Sequence, residues 1–247
     1  MPVMTVGTGR ALIPTGIKYN DKVLATGPIA YWPLWETSGV VAECLVNPAQ
    51  NGTYSSDVSG WPVGVGIGDG NTAPGFDGVN DAIDINTAAL QAALNANTAE
   101  GSMMIWAKFV PAAWTDAAWH VSCRFRDSVN DYFTIAKSNA NNTLYYSWTG
   151  GAVTETHSQA GIVDTAWMLL TMTRSEAADE VKYYRNTSLL ATDTIIGNWA
   201  SAGVWDNMVL GANAFALINS PFWGSLAHAA VFGRALGLPE ITSFCEV

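Results

Sequence analysis

The sequence predicts an all-β protein in which two antiparallel sheets pack face to face, accompanied by one or two short helices. Short apolar or alternating runs recur from residue 29 onward, and turn-forming residues separate them. The spacing of these runs leaves little room for helices, which argues against a parallel α/β fold. The 247 residues are 49% hydrophobic and 13% charged, which gives enough apolar material for the core of one large domain.

Nine runs are predicted to form strands. The run 103–110 is apolar on both faces, which is typical of a central strand that is covered on both sides. The run 143–148 alternates, with Leu144, Tyr146 and Trp148 on one face, so its other face is expected to be partly solvated. The predicted strands are 29–34, 82–85, 103–110, 119–126, 132–136, 143–148, 167–174, 181–185 and 226–232.

Turn and capping residues mark the ends of these elements. One short helix is predicted at 88–96, with Thr87 or Asn86 as its cap, and a second at 238–245, with Pro239 in its first turn. Residue pairs that tolerate a positive φ indicate tight turns. These pairs are Asn51-Gly52, Asp69-Gly70, Asp77-Gly78 and Gly150-Gly151.

The first 27 residues differ from the remainder of the chain. They are rich in Gly, Thr and Pro, show no periodicity, and carry Arg10, Lys18 and Lys22 against the single acid Asp21. We predict an extended N-terminal arm at 1–27, followed by a β-sandwich domain at 28–247. The three basic residues are expected to dock this assembly arm on a neighbouring subunit; the alternative is a mobile terminus.

Charge and hydropathy exclude several classes of partner. The net charge of −10 argues against nucleic acid, because phosphate binding depends on clustered Lys and Arg. No apolar run approaches the ~20 residues of a membrane-spanning helix. The first 20 residues lack the basic start and apolar stretch of a secretory signal, so neither a signal peptide nor a membrane location is expected.

Five segments, spread over nearly everything after residue 28, resemble one known family. The chain is similar to the laminin-G-like family of concanavalin A-like jelly-roll domains, which implies a two-sheet antiparallel jelly-roll sandwich. The family includes lectins, adhesion modules, glycosidases and viral structural proteins, so function has to be argued from individual sites. The matching segments are 30–39 (AYWPLWETSG), 74–85 (PGFDGVNDAIDI), 102–109 (SMMIWAKF), 166–173 (AWMLLTMT) and 221–241 (PFWGSLAHAAVFGRALGLPEI).

Candidate catalytic carboxylates are not found. Glycoside hydrolysis needs two acids facing one bond, and glucanases that resemble this fold carry them in a Glu-x-Asp-x-x-Glu pattern on one strand. Glu176, Asp179 and Glu180 have a different spacing and lie in a polar turn, which predicts a solvated hairpin tip. We therefore predict no catalytic residues and no enzymatic activity.

No cofactor is predicted. Calcium needs six to eight oxygen ligands. Asp69, Asp77 and Asp81 are candidates for such a site, as are Asp127 and Asp131, but no pattern defines a complete set. A zinc site is not expected, because the three histidines are far apart in the sequence and no Cys/His spacing fits a tetrahedral site.

Eleven tryptophans are many for this length. Several lie in or beside predicted loops, where a large amphipathic ring either covers the edge of the core, seals a subunit interface or stacks on a sugar. These three interpretations stay open at the sequence level. The loop residues concerned are Trp61, Trp114, Trp119, Trp199 and Trp205.

Together these features predict a non-catalytic accessory protein of a virion surface, such as a bacteriophage capsid-decoration, head-fibre or tail-associated protein. Its expected partners are other virion or coat proteins and copies of itself, with glycans as a further class of ligand. Two alternatives remain, a carbohydrate-binding adhesion module and a polysaccharide hydrolase.

Overall fold

The computed structural model describes residues 18–127, 131–151, 153–197, 199 and 204–247. This part of the chain forms a mostly β structure with four short α-helices. None of these helices is long and apolar enough to cross a membrane. The helices are α1 (Tyr19–Ala25), α2 (Ala88–Asn95), α3 (Pro111–Thr115) and α4 (Leu238–Phe244). The strands are β1 (Ala30–Trp32), β2 (Val41–Ala42), β3 (Gly52–Tyr54), β4 (Val63–Val65), β5 (Thr72–Asp77), β6 (Ile83–Asp84), β7 (Glu100–Phe109), β8 (His120–Arg126), β9 (Tyr132–Lys137), β10 (Leu144–Gly150), β11 (Val153–Gln159), β12 (Met168–Ser175), β13 (Glu180–Arg185), β14 (Ser188–Thr194), β15 (Asn207–Leu210) and β16 (Trp223–Phe232).

The strands form two antiparallel sheets of eight strands each. Sheet A has the order β14-β13-β12-β7-β16-β5-β4, and β1 also pairs with β16. Sheet B has the order β11-β10-β9-β8-β15-β6-β3-β2. This arrangement confirms the predicted two-sheet jelly-roll sandwich.

The main core lies between the two sheets. From sheet A, β7 contributes Ile105 and Phe109, whose side chains are fully buried. From sheet B, Phe125, Ile135 and Trp148 face them. Each strand places alternate residues in this core, so the opposite residues of sheet B are free to form an outer surface.

Sheet A is covered on its outer face as well, by the two terminal helices. Met104 and Trp106, which alternate with the core residues of β7, pack in a second apolar cluster with Tyr19 and Val23 of α1 and Phe244 of α4. This packing explains why β7 is apolar on both faces, as the sequence predicted.

The extended conformation predicted for residues 1–27 is wrong for Tyr19–Ala25, which forms α1. The helix has no side-chain cap at its N-terminus, and burial of Tyr19 and Val23 stabilises it instead. Tyr19 accepts a hydrogen bond from Trp106 Nε1 at 2.7 Å. Lys22 Nζ donates to the backbone carbonyls of Ser243 and Glu246, at 2.9 and 2.6 Å, so α1 is part of the folded body.

All nine predicted strands coincide with observed strands, to within a few residues at their ends. Both predicted helices are present as α2 and α4, and the Thr87 side chain caps α2 by accepting from the Leu90 amide at 3.2 Å. The unpredicted helices α1 and α3 and the unpredicted strands are short or polar, so they lack the periodic apolar pattern that reveals an element in a sequence.

Candidate functional site

The outer face of sheet B carries a cleft of about 320 Å³, within the range of small-ligand sites. Its floor comes from outward residues of three neighbouring strands, β8, β9 and β10, and one wall comes from the loop 211–222. We call it the Trp119 cleft. It is lined by Trp119, Val121, Arg124, Tyr132, Thr134, Tyr145, Ser147, Asn213 and Ser220.

The floor of the Trp119 cleft is a row of polar side chains set by strand register. Arg124 of β8 pairs with Thr134 of β9, and Thr134 in turn pairs with Ser147 of β10. Thr134 is 5% exposed, and its hydroxyl has no hydrogen-bond partner among the described residues. A buried hydroxyl without a partner costs free energy, and a ligand group that hydrogen-bonds to it would remove this cost.

Two aromatic rings rise beside this row. Trp119 lies immediately before β8, and Tyr145 points outward from β10 because its neighbours Leu144 and Tyr146 point into the core. The two ring centroids are 5.0 Å apart with the planes at 82°, and both rings are partly exposed. The edge-to-face contact holds two large amphipathic surfaces in a defined position at the mouth of the cleft.

Arg124 supplies the positive charge of the cleft. Its guanidinium lies 5.1 Å from the centroid of the Tyr132 ring, and its Nη1 donates to Asn213 Oδ1. Burial lowers the pKa of Arg124, and the nearby charge of Arg126 lowers it further. Burial raises the pKa of Tyr132, but hydrogen bonds from hydroxyls that include Thr149 and the charge of Arg124 outweigh this and leave it below its usual value.

The loop 211–222 is held in place by apolar packing and backbone hydrogen bonds. Phe215 and Ile218 pack on a small buried cluster that includes Val209 of β15. Within the loop, the Asn213 amide donates to the carbonyl of Asn219 at 3.0 Å. These contacts fix the backbone at Asn213, so its side chain can orient Arg124.

The five loop tryptophans have different environments. Trp61, Trp114 and Trp205 are at most 7% exposed and belong to the main core, which favours for them the first of the three interpretations, cover of the core. Trp199 is half-buried at the edge of the core, with its ring 4.8 Å from that of Trp148. Trp119 alone of the five lines the cleft on sheet B.

Two of the assembly-arm residues, Lys18 and Lys22, do not line the Trp119 cleft. Arg10 is outside the described residues. Lys18 is exposed at the start of α1. Lys22 is bound to the C-terminal carbonyls described above, so its ammonium group is committed within the chain. Docking on a neighbouring subunit stays a prediction.

The acidic residues considered for catalysis or metal binding are separated. Among the described residues, no group of three or more His, Cys, Asp or Glu side chains is placed to hold a metal ion. Asp69 faces His228 Nε2 at 3.1 Å, whereas Asp81 accepts from the Asp77 amide in a turn. Burial, together with the charge of Asp77, raises the pKa of Asp81 to about 6. Glu176 lies in the β12–β13 hairpin turn, as predicted.

Comparison with known families identifies the chain. Residues 76–242 match the family model described as the concanavalin A-like lectin/glucanases superfamily. The chain belongs to this superfamily. No curated protein sequence matches it significantly.

Several solved structures share the fold of this superfamily member. The CBM40 domain of a Ruminococcus gnavus IT-sialidase matches with a TM-score of 0.55 and 15% identity, covering 69% of this chain and 96% of that one. Domain 4 of AbnA, a GH43 extracellular arabinanase from Geobacillus stearothermophilus solved with arabinotriose, has a TM-score of 0.63 and 16% identity, covering 89% and 98%. The receptor-binding domain of botulinum neurotoxin mosaic serotype C/D has a TM-score of 0.63 and 11% identity, covering 89% and 50%. Such low identities establish the fold alone.

Sequence reasoning named Trp119 in this superfamily member but missed the residues that surround it. The alternation of β10 indicated an outward face that includes Tyr145, and the same reasoning applies to Arg124, which lies between the core residues Cys123 and Phe125. An arginine at an outward position between two apolar residues was the available signal. No pattern in the sequence indicated that Asn213 would contact this arginine.

Proposed function

We propose that this domain is a non-catalytic carbohydrate-binding module whose ligand lies in the Trp119 cleft. The observation that carries the proposal is the pair of partly exposed rings, Trp119 and Tyr145, beside a row of short hydroxyl side chains. A sugar has apolar C–H faces that pack on aromatic rings and a rim of hydroxyls that need hydrogen-bonding groups. The cleft offers both kinds of surface on the outer face of sheet B.

A second, larger groove of the chain has fewer groups that could bind a sugar. It has a volume of about 640 Å³ and includes Asp77, Lys108 and Trp223. Among the described residues of its lining, Trp223 is the only partly exposed aromatic residue, since the other two are buried. A single ring without a row of hydroxyls is a weaker platform for a sugar than the Trp119 cleft.

The lining of the Trp119 cleft supports binding without turnover. Glycoside hydrolysis by the usual mechanism needs two carboxyl groups on either side of the bond that is cleaved. The described residues that line this cleft include no Asp or Glu. The ligand is therefore expected to leave the cleft unchanged.

The setting in which the module acts is a separate part of the proposal. A virion surface, with coat proteins as partners, is a role that this fold family includes, and it stays a prediction for this chain. Reconstitution with purified particles would test it: stoichiometric binding that weakens in an Arg10→Ala variant would support docking through the N-terminal segment. Particles that bind no protein would contradict it.

Replacing Trp119 by alanine is expected to weaken glycan binding at least about tenfold, or about 1.4 kcal/mol, because the ring is an exposed aromatic anchor. A glycan array would identify the ligand, and isothermal titration calorimetry would measure its affinity for both proteins. Trp35→Ala is the matched control, since Trp35 is also partly exposed but lies outside the Trp119 cleft. Equal affinities for wild type and Trp119→Ala would rule out this cleft as the site.

A further inference from the structure

Among the described residues Arg124 has no acidic partner, whereas three other arginines each have one. Arg174, Arg185 and Arg234 each face a carboxylate within 3.6 Å. Among the described residues, no carboxylate lies within 4 Å of the Arg124 guanidinium. The chain has 21 acidic and 11 basic residues, so its composition alone would lead one to expect a carboxylate partner for Arg124.

The guanidinium is half-buried, so its charge is only partly solvated. A buried charge without a partner is costly, and a ligand that brings a negative charge removes this cost. The bond to Asn213 uses one of the five N–H donors of the group, and the contact with the Tyr132 ring restrains its plane. Arg124 is therefore preorganised to bind two oxygens of an anion in its own plane.

Thr134 is the second polar residue of the site and pairs with Arg124 across the floor of the cleft. The Thr134 side chain occupies the paired position on β9, is 95% buried and has an unpartnered hydroxyl that lines the same cleft. Trp119 and Tyr145 stand on the same face of the sheet. A ligand that spans these groups carries an anionic group at one end and an apolar ring face at the other.

We infer that the ligand of the Trp119 cleft is an acidic sugar, whose carboxylate binds Arg124 while its ring packs on Trp119 and Tyr145. This inference rests on the proposed glycan-binding function and adds the chemical class of the glycan. Uronic acids and sialic acids share the required chemistry. A neutral sugar would leave Arg124 without a counter-charge, which gives the cleft a physical basis for choosing between them.

Titration calorimetry with paired ligands tests the inference. The probes are tri-galacturonate and alpha2,3 sialyllactose, each compared with its own methyl ester, which keeps the sugar and removes the charge. For wild type, at least one acid is expected to bind about 10- to 100-fold more tightly than its ester, as is usual for hydrogen bonds to charged groups. The acid that shows this preference identifies the source of the carboxylate.

Two variants locate the effect. Arg124→Gln keeps a hydrogen-bonding group near Asn213 but removes the charge, so the preference for acid over ester is expected to disappear. Arg185→Gln is the control: Arg185 pairs with the exposed Asp164 away from the cleft, and its loss is expected to leave the preference unchanged. Arg124→Lys keeps the charge without the planar fork and is expected to retain part of the preference.

The outcomes separate this inference from the function on which it rests. Equal affinities for acid and ester, or a preference that survives in Arg124→Gln, would overturn the acidic-sugar assignment and leave glycan binding in place. If the domain binds only neutral glycans, and Trp119→Ala weakens that binding, the acidic-sugar assignment is likewise overturned while glycan binding at the cleft stays in place. No binding of any glycan on the array would overturn both.

Discussion

Replacing Trp114 by alanine is expected to lower the free energy of unfolding by about 3–5 kcal/mol, the usual cost of truncating a large aromatic side chain in a core. Trp114 is 1% exposed, and its ring centroid lies 4.6 Å from that of Phe109. Its Nε1 also donates to the carbonyl of Asp164 at 2.8 Å. The substitution removes this bond and leaves a cavity between α3 and β7. Equilibrium denaturation in guanidinium chloride would measure the change.

Trp119→Ala is the matched comparison, because the two tryptophans are five residues apart and only Trp119 is partly exposed. Its free energy of unfolding is expected to change by about 1 kcal/mol or less, as is common for surface positions. The two variants should therefore have opposite profiles, with stability lost in Trp114→Ala and glycan affinity lost in Trp119→Ala. A loss of stability below about 1 kcal/mol in Trp114→Ala would show that this ring is not part of the core.

The contrast between these two residues shows why loop tryptophans are hard to interpret from a sequence. Each lies in a short segment without apolar periodicity, and burial is decided by residues far away along the chain. Trp205 Nε1 donates to Asn95 Oδ1, 110 positions distant, and Trp61 packs between Tyr54 and Phe76. Local pattern carries no information about such contacts.

Strands with a strong apolar pattern were predictable because their alternation reflects burial between two layers. Helix α1 was not, since Tyr19–Ala25 has polar residues on much of its surface and no capping side chain. Its two buried residues, Tyr19 and Val23, are stabilised by the outer face of sheet A, and this tertiary contact outweighs weak helix propensity. An isolated segment of this length would not be expected to stay helical.

The Trp119 cleft was predictable only in part for a similar reason. Alternation in β10 indicated that Tyr145 points outward, and Trp119 was recognised as a candidate aromatic. The meeting of Arg124, Thr134 and Ser147 depends on the register of three strands, and register is a property of the assembled sheet. The unpartnered state of Thr134 likewise becomes visible only when its neighbours are known.

Replacing Asp116 by asparagine is expected to lower the free energy of unfolding by about 3 kcal/mol, because it leaves a buried ammonium group without its counter-charge. Lys137 is 0% exposed, and its Nζ donates to Asp116 Oδ1 at 2.7 Å and to the carbonyls of Asp116 and Ala118. His120 Nε2 lies 2.7 Å from the other carboxylate oxygen. The expected cost lies at the lower end of the usual range because the Asp116 side chain is itself 31% exposed. Chemical denaturation at pH 7 would measure the loss.

The pair of Asp116 and Lys137 also makes the free energy of unfolding depend on pH, in a direction that follows from the pKa of Asp116. Burial raises this pKa, but hydrogen bonds and charge from Lys137 and His120 outweigh it, so the pKa in the folded state lies below its ordinary value. The stabilisation is therefore present above the unfolded-state pKa of about 4 and is lost as the pH falls through the lower folded-state pKa. The difference in stability between wild type and Asp116→Asn is expected to shrink as the pH falls below about 4.

A control variant separates this effect from acid sensitivity in general. Asp164→Asn removes an ion pair with Arg185 in which the Asp164 side chain is 50% exposed, and such surface pairs contribute about 1 kcal/mol or less. Its free energy of unfolding is expected to stay within about 1 kcal/mol of that of wild type at each pH. The contrary result is that Asp116→Asn has the same free energy of unfolding as wild type at neutral pH. The two carbonyl contacts and the one carboxylate contact of Lys137 would then not depend on the charge of Asp116. The buried lysine would then be stabilised by backbone carbonyls, and the acid would have only a minor part in the fold.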